Sequence, residues 1–193
     1  SGSVSFVPTA AFPSLASTTL NFLKFRAGIG TSAGFPTPYN TRSVLNQVAR
    51  GFMDPAGTVI TTQSVDNVLG NPNLKPELQT ELEAGVEAKL LNNRLNVDLT
   101  VYRRETRNLI TSTPIDPATG YTSTTINIGK LRNSGIELGV NGTVLRAGDF
   151  AWDVTLNYDR NVPLVVELSD ALKEVVVAGF TNLGNFAIAG RPF

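Results

Sequence analysis

From Glu81 to Leu90 the chain alternates. Leu82, Ala84, Val86, Ala88 and Leu90 fall on one side, and Glu81, Glu83, Gly85, Glu87 and Lys89 on the other. A period of two marks a strand whose faces meet different surroundings. The next segment repeats the pattern, with Leu95, Val97, Leu99 and Val101 against Asn96, Asp98, Thr100 and Tyr102. Asn92 and Asn93 lie between them, and asparagine tolerates the positive φ of a tight type I′ turn. Pairing Leu91 with Arg94 then sets Leu90 opposite Leu95, Val86 opposite Leu99 and Glu81 opposite Arg104. It also sets Glu87 opposite Asp98, a like-charged pair that is tolerable only where that face sees water.

A second hairpin is predicted downstream. Ile136, Leu138, Val140 and Val144 alternate with Glu137, Asn141 and Thr143, and Phe150, Trp152, Val154, Leu156 and Tyr158 alternate with Asp153, Thr155, Asn157 and Asp159. Arg146-Ala147-Gly148 suits a three-residue loop with Gly148 left-handed. That register sets Gly142 opposite Trp152, whose indole would cover the glycine. An earlier strand spans Leu23 to Gly30, with Leu23, Phe25, Ala27 and Ile29 opposed by Lys24 and Arg26. Further strands are predicted near Val4–Phe12, Thr124–Leu131 and Phe186–Ala189.

The connections fall into two sizes. Asn92–Asn93, Arg146–Gly148 and Ser17–Asn21 are short. Thr31–Pro76, Ser112–Ser123 and Val162–Asn185 are long and rich in Pro, Gly, Thr and Asn. Short and long alternate, as periplasmic turns and extracellular loops do in up-and-down membrane barrels. Phe150 and Trp152 fall at the short-turn end, and Tyr102 and Tyr158 at the long-loop end, the places of membrane-interface aromatics. Alternation alone leaves a soluble antiparallel sandwich equally open, because its core-facing side has the same period. Small residues on the apolar face (Ala84, Ala88, Gly142) and the loop asymmetry lean towards lipid.

Composition narrows the functions. Charged residues are 17% of the chain, below the roughly 25% of soluble domains. Lys plus Arg and Asp plus Glu are 16 each, so no basic excess points to nucleic acid. Apolar runs are too short for a transmembrane helix. With neither Cys nor His, thiol catalysis, a Ser-His-Asp triad and structural zinc are excluded within this chain, and no cofactor is expected. Gly28-Ile29-Gly30-Thr31-Ser32-Ala33 fits a dinucleotide fingerprint, but Gly34, Pro36 and Pro38 forbid the helix that should follow. Asp116 with Thr119 and Gly120 reads as a turn, since too few carboxylates are present for calcium. The Asn141-Gly142-Thr143 sequon sits within a strand. Glu81, Glu83 and Glu87 lack a facing cleft for acid–base work and read as a solvated wall. Arg103, Arg104 and Arg107 gather at the long-loop end of a strand, where they could meet lipid phosphates or an entering substrate. An enzyme is therefore not expected.

The stretch NVLGNPNLKPELQTELEAGVEAKLLNNRLNVDLTVYRRETRNLI, from Asn67, resembles the C-terminal barrel region of TonB-dependent outer-membrane receptors of the SusC/RagA type, found in Bacteroidetes. The carriers are NPNLKPE (Asn71 to Glu77), the strand–NNR–strand hairpin, the ending Tyr102, Thr106, Leu109 and Ile110, and the N-x-G-I-E-L element from Asn133 to Leu138. The likeness covers Leu20 to Phe193. It implies an all-β fold of antiparallel up-and-down strands forming part of a large transmembrane β-barrel. Residues 1–193 would be one partial barrel of about six or seven strands, with plug and terminal strands absent, unstable on its own. It further implies the bacterial outer membrane, and import of an oligosaccharide or peptide with TonB and a SusD-like surface lipoprotein as partners. Glu81, Glu83, Arg104, Arg107, Glu137 and Asp153 would then be lumen or rim contacts. The alternative is a soluble β-sandwich binding or adhesion module.

Overall fold

A computed structural model describes the backbone of residues 1–169, 174–180 and 183–192, and the side chains of these apart from 48–52, 60–62, 176–180 and 183–184. Residues 170–173 and 181–182 of the expected Val162–Asn185 connection, and Phe193, lie outside the described residues. The strands are β1 (Gly2–Phe6), β2 (Leu20–Gly34), β3 (Leu45–Met53), β4 (Val59–Val65), β5 (Val68–Leu69), β6 (Glu77–Leu90), β7 (Leu95–Arg107), β8 (Ile110–Pro114), β9 (Ser123–Asn127), β10 (Gly129–Ala147), β11 (Phe150–Leu168), β12 (Glu174–Phe180) and β13 (Leu183–Ile188). Six of them form one antiparallel sheet in the order β1-β2-β6-β7-β10-β11. The long connections carry their own pairings: hairpin β3-β4, the three-stranded β5-β9-β8, and hairpin β12-β13.

The alternating segments pair as the pattern requires. Leu90 faces Leu95, Val86 faces Leu99, Glu81 faces Arg104 and Glu87 faces Asp98. Asn92 and Asn93 have φ of 57° and 62°, as a type I′ turn needs, and Leu91 joins them at 54°. The registers align into rows across the sheet. One apolar row reads Phe6, Phe25, Val86, Leu99, Leu138, Tyr158, and the polar row beside it reads Ser5, Arg26, Gly85, Thr100, Glu137, Asp159. Each strand contributes one residue to each row, so the sheet has a continuous apolar side and a continuous polar side.

The apolar side is not covered. Leu82, Trp152 and Leu156 are 52%, 53% and 59% exposed. The buried hydrophobic residues Ile128, Leu131, Val165, Val175 and Ala187 form one small cluster at the long-loop end. The accessible surface is 13277 Å², whereas a compact soluble monomer of 20.6 kDa would expose about 8,900 Å². A two-layer sandwich would have buried that apolar face, so the sandwich alternative fails here. Among the described residues no helix is long and apolar enough to cross a membrane, which says nothing of strands.

Several local expectations need correction. The β10–β11 turn is Gly148-Asp149, since Ala147 already pairs with Phe150; Gly148 does take positive φ, at 59°. That turn sets Trp152 opposite Leu145, and a bulge between Thr143 and Leu145 then sets Gly142 opposite Val154. Gly142 instead lies close to Leu95 of β7 and to the carbonyl of Arg94 in the turn before it. Ser17–Asn21 is not a short turn: the chain from Val7 to Thr19 links β1 to β2 through a helical turn, Pro8–Ala11, and a 3-10 turn, Pro13–Leu15. The strict alternation of short and long connections therefore breaks at β1–β2. β11 runs to Leu168, well into the segment expected as a loop. Asp116 does cap a turn, accepting from the Ala118 N–H, with Gly120 left-handed.

Candidate functional site: the polar face of the sheet

The polar side is built from residues that strand pairing sets beside one another. Arg26 on β2 does not stop at its neighbour β6. Its Nη1 donates to Asp98 Oδ2 at 3.0 Å, and its Nη2 donates to Asp98 Oδ1 at 2.9 Å and Thr100 Oγ1 at 2.6 Å, both on β7. The residue between them is Gly85, and a Cβ there would lie 2.6 Å from Arg26 Nε. The glycine leaves the trough through which the arginine crosses. Arg26 Nε also lies 3.5 Å from Glu83, and Lys24 Nζ 3.9 Å from Glu87. The like-charged Glu87–Asp98 pair is thus relieved from the next strand, with Lys24 taking one carboxylate and Arg26 the other.

Of the expected contact residues, the fold brings four together. Arg104 Nε donates to Glu81 Oε2 at 2.7 Å. These two, with Glu83, Glu137, Arg26 and Tyr102, line a polar cleft of about 230 Å³. Asp153 stands apart near the short-turn end, where it accepts from the Thr143 hydroxyl. Arg107 is on the other side of the sheet, in register with Leu78 and Lys130. The arginine cluster is therefore split: Arg104 faces the polar side, Arg103 and Arg107 the apolar side. Phe150, Trp152 and Tyr158 stand exposed on the apolar side. Tyr102 does not join them. It lies on the polar side, its ring over Gly135, where a Cβ would come within 2.5 Å of Cζ. An interface role thus does not fit Tyr102, which fills the gap left by a glycine on the neighbouring strand.

The link from Arg26 to Asp98 has no signal in the sequence, because nothing local shows that an arginine will bond a carboxylate two strands away. Asn127 was missed likewise. Its amide donates to the carbonyls of Lys75 and Asn108, and its Oδ1 accepts from the Lys75 N–H. Asn71 donates to the Thr125 carbonyl. The NPNLKPE element is thereby pinned to β9, which fixes where the long connection enters β6. Among the described residues no group of three or more metal-ligating side chains forms. The cleft is an open, hydrogen-bonding wall of fixed ion pairs, suited to water and polar solutes.

A family described as TonB dependent receptor-like, beta-barrel matches residues 2–186. TonB-dependent receptor P3 of Formosa agariphila is 31% identical over 160 residues, covering 80% of this chain and 15% of that protein. TonB-dependent receptor SusC of Bacteroides thetaiotaomicron is 34% identical over 100 residues, covering 51% of this chain and 10% of that protein. The chain therefore spans a minor part of these relatives' length. The structure of the RagAB peptide importer in its closed-closed state superposes with a TM-score of 0.78 at 24% identity, covering 97% of this chain and 20% of that one. Two-sided rows, an uncovered apolar face and these matches agree: the chain belongs to the TonB-dependent receptor-like β-barrel family of the outer membrane.

Proposed function

We propose that the whole protein imports an oligosaccharide or a peptide across the outer membrane, driven through TonB, with a surface lipoprotein over its extracellular mouth. Residues 1–193 would form part of the wall of a larger closed barrel, with the polar face lining the lumen and the β3-β4, β5-β9-β8 and β12-β13 pairings standing at the extracellular end. The observation that carries this is the two-sided six-stranded sheet, polar rows on one side and uncovered apolar rows on the other. Support comes from the similarity to SusC and to an importer of peptides. The role has no catalytic step. Long strands fit it, since β10 and β11 have 19 residues each and about ten suffice to cross the membrane. The surplus would carry the wall beyond the bilayer.

The test is growth of a strain lacking the full-length gene, on glycans and on peptides as sole nutrient, with and without TonB. Loss of growth on one class, restored by the gene only when TonB is present, is the expected result. Unchanged growth on every nutrient would overturn the proposal. Affinity purification from the membrane should recover a surface lipoprotein with the barrel.

A further inference from the structure

The apolar side of the sheet ends, towards the long loops, in a belt of cations. Above the row of Leu99 and Leu138, the same face carries Arg103 and Arg107 on β7, Lys130 and Arg132 on β10, and Arg160 on β11. Arg103 Nη2 lies 2.6 Å, Arg132 Nε 2.9 Å and Lys130 Nζ 2.9 Å from the single carboxylate of Glu105. Glu167, in register with Lys130, is the other acid on this patch among the described residues. Among the described residues five cations therefore meet two carboxylates on this face. Arg107 and Arg160 are exposed, and among the described residues neither has a carboxylate within ion-pair distance.

The compensating acid lies on the opposite side. The polar face carries Glu81, Glu83, Glu87, Asp98, Glu137, Asp153 and Asp159, and its bases are largely engaged in ion pairs with them. Charge is thus separated through the sheet. The basic patch also has a defined height. Arg160 follows two residues after Tyr158, and Tyr158 sits eight residues along β11 from Phe150, about 26 Å of extended strand. The exposed aromatics bracket an apolar band of membrane height, and the cations begin at its upper edge, level with lipid headgroups.

We propose that this patch binds the phosphate groups of a phosphorylated glycolipid of the outer leaflet. Arg107 and Arg160 supply the free guanidinium donors, and the Glu105-centred cluster holds Arg103, Lys130 and Arg132 in place beside them, with Arg103 offering the donors its pair with Glu105 leaves over. Guanidinium suits the ligand, because its planar donors meet two phosphate oxygens at once. The acyl chains of the same lipid would lie on the apolar rows below, so headgroup and tail contacts are continuous. The proposal rests on the outward reading of the apolar face.

The experiment uses the full-length protein in detergent, titrated with diphosphoryl lipid A or with its dephosphorylated form and read by native mass spectrometry. Replacing Arg103, Arg107 and Arg160 together by Gln should weaken retention of the phosphorylated lipid by on the order of a hundredfold. Lys at the same positions should restore only part of it, because the charge returns without the two-pronged donor geometry. Heat-modifiable mobility verifies that each barrel is folded, and the single variants Arg107→Gln and Arg160→Gln should each lose several-fold if the triple variant does not fold. Uptake by a folded Gln variant should stay at wild-type level, which separates this result from failure of the transport reading. Equal retention of both lipid forms, an unaltered Gln variant, or displacement of the lipid by millimolar inorganic phosphate would each overturn the proposal.

Discussion

Arg26 and Asp98 lie 72 residues apart in sequence and on strands that do not touch, yet they form a two-pronged ion pair at 2.9 and 3.0 Å. The pair spans β6 at Gly85, the one residue of that polar row with no side chain in the way. It ties β2 to β7 in addition to the backbone ladders. Both partners remain partly exposed, so its contribution is modest, about 1 kcal/mol.

Gly85→Val should therefore act through Arg26. The new side chain would occupy the trough and force the guanidinium off Asp98, lowering barrel stability by roughly 1–2 kcal/mol. The same substitution beside Arg26→Ala should cost clearly less, because the obstructed group is gone. A double-mutant cycle on the folded full-length barrel, read by denaturant unfolding in micelles, measures the difference. Additive losses would show that Gly85 serves some other purpose.

Neighbouring positions on β7 should differ sharply in tolerance. Leu99 lies in the middle of the apolar row and Thr100 in the polar row beside it. Leu99→Arg should destabilise the barrel by about 2–4 kcal/mol, the cost of a cation on a lipid-facing wall near mid-membrane. Thr100→Arg should cost much less, although it crowds Arg26. Similar losses at both positions would deny the sheet its two-sidedness.

Asn127 predicts a local effect. Removing its amide in Asn127→Ala leaves the Lys75 and Asn108 carbonyls and the Lys75 N–H without that partner, at about 1–2 kcal/mol. The loss should appear as faster proteolysis between residues 35 and 76, with the melting of the barrel itself little changed. Unaltered cleavage would show that the loop is held by something else.

The main sheet was legible in the sequence because its information is local. Alternation in 81–90 and 95–102, with two asparagines between, fixes faces, turn and register together, and a slip of one residue would have reversed every side chain. Two kinds of feature escaped. The two-residue turn Gly148-Asp149, in place of the three-residue loop expected, moves Trp152 from Gly142 to Leu145, and the bulge near Val144, with no Gly or Pro inside it as a marker, shifts the register once more beyond. Contacts that skip a strand, such as Arg26 to Asp98, depend on what the intervening residue lacks. The long connections were read as loops for their Pro and Gly content, yet Leu45–Met53 and Val59–Val65 pair into a hairpin inside one of them. Tyr102 was assigned by its height on the strand, although its parity already placed it on the polar side.

Contact of the exposed apolar face with lipid has a natural reporter in the chain. Trp152 is the only tryptophan in this sequence, it is 53% exposed, and it sits on the apolar rows near the short-turn end. The measurement is its fluorescence in the folded barrel in bilayers, with other tryptophans of the full-length protein replaced by Phe, using lipids spin-labelled at different depths. A lipid-facing Trp152 should be strongly quenched by labels near the headgroup end of the acyl chains, less by those at the bilayer centre, and little by aqueous acrylamide. Efficient acrylamide quenching, with none from any lipid label, would place this face in water and rule out a lipid-facing wall.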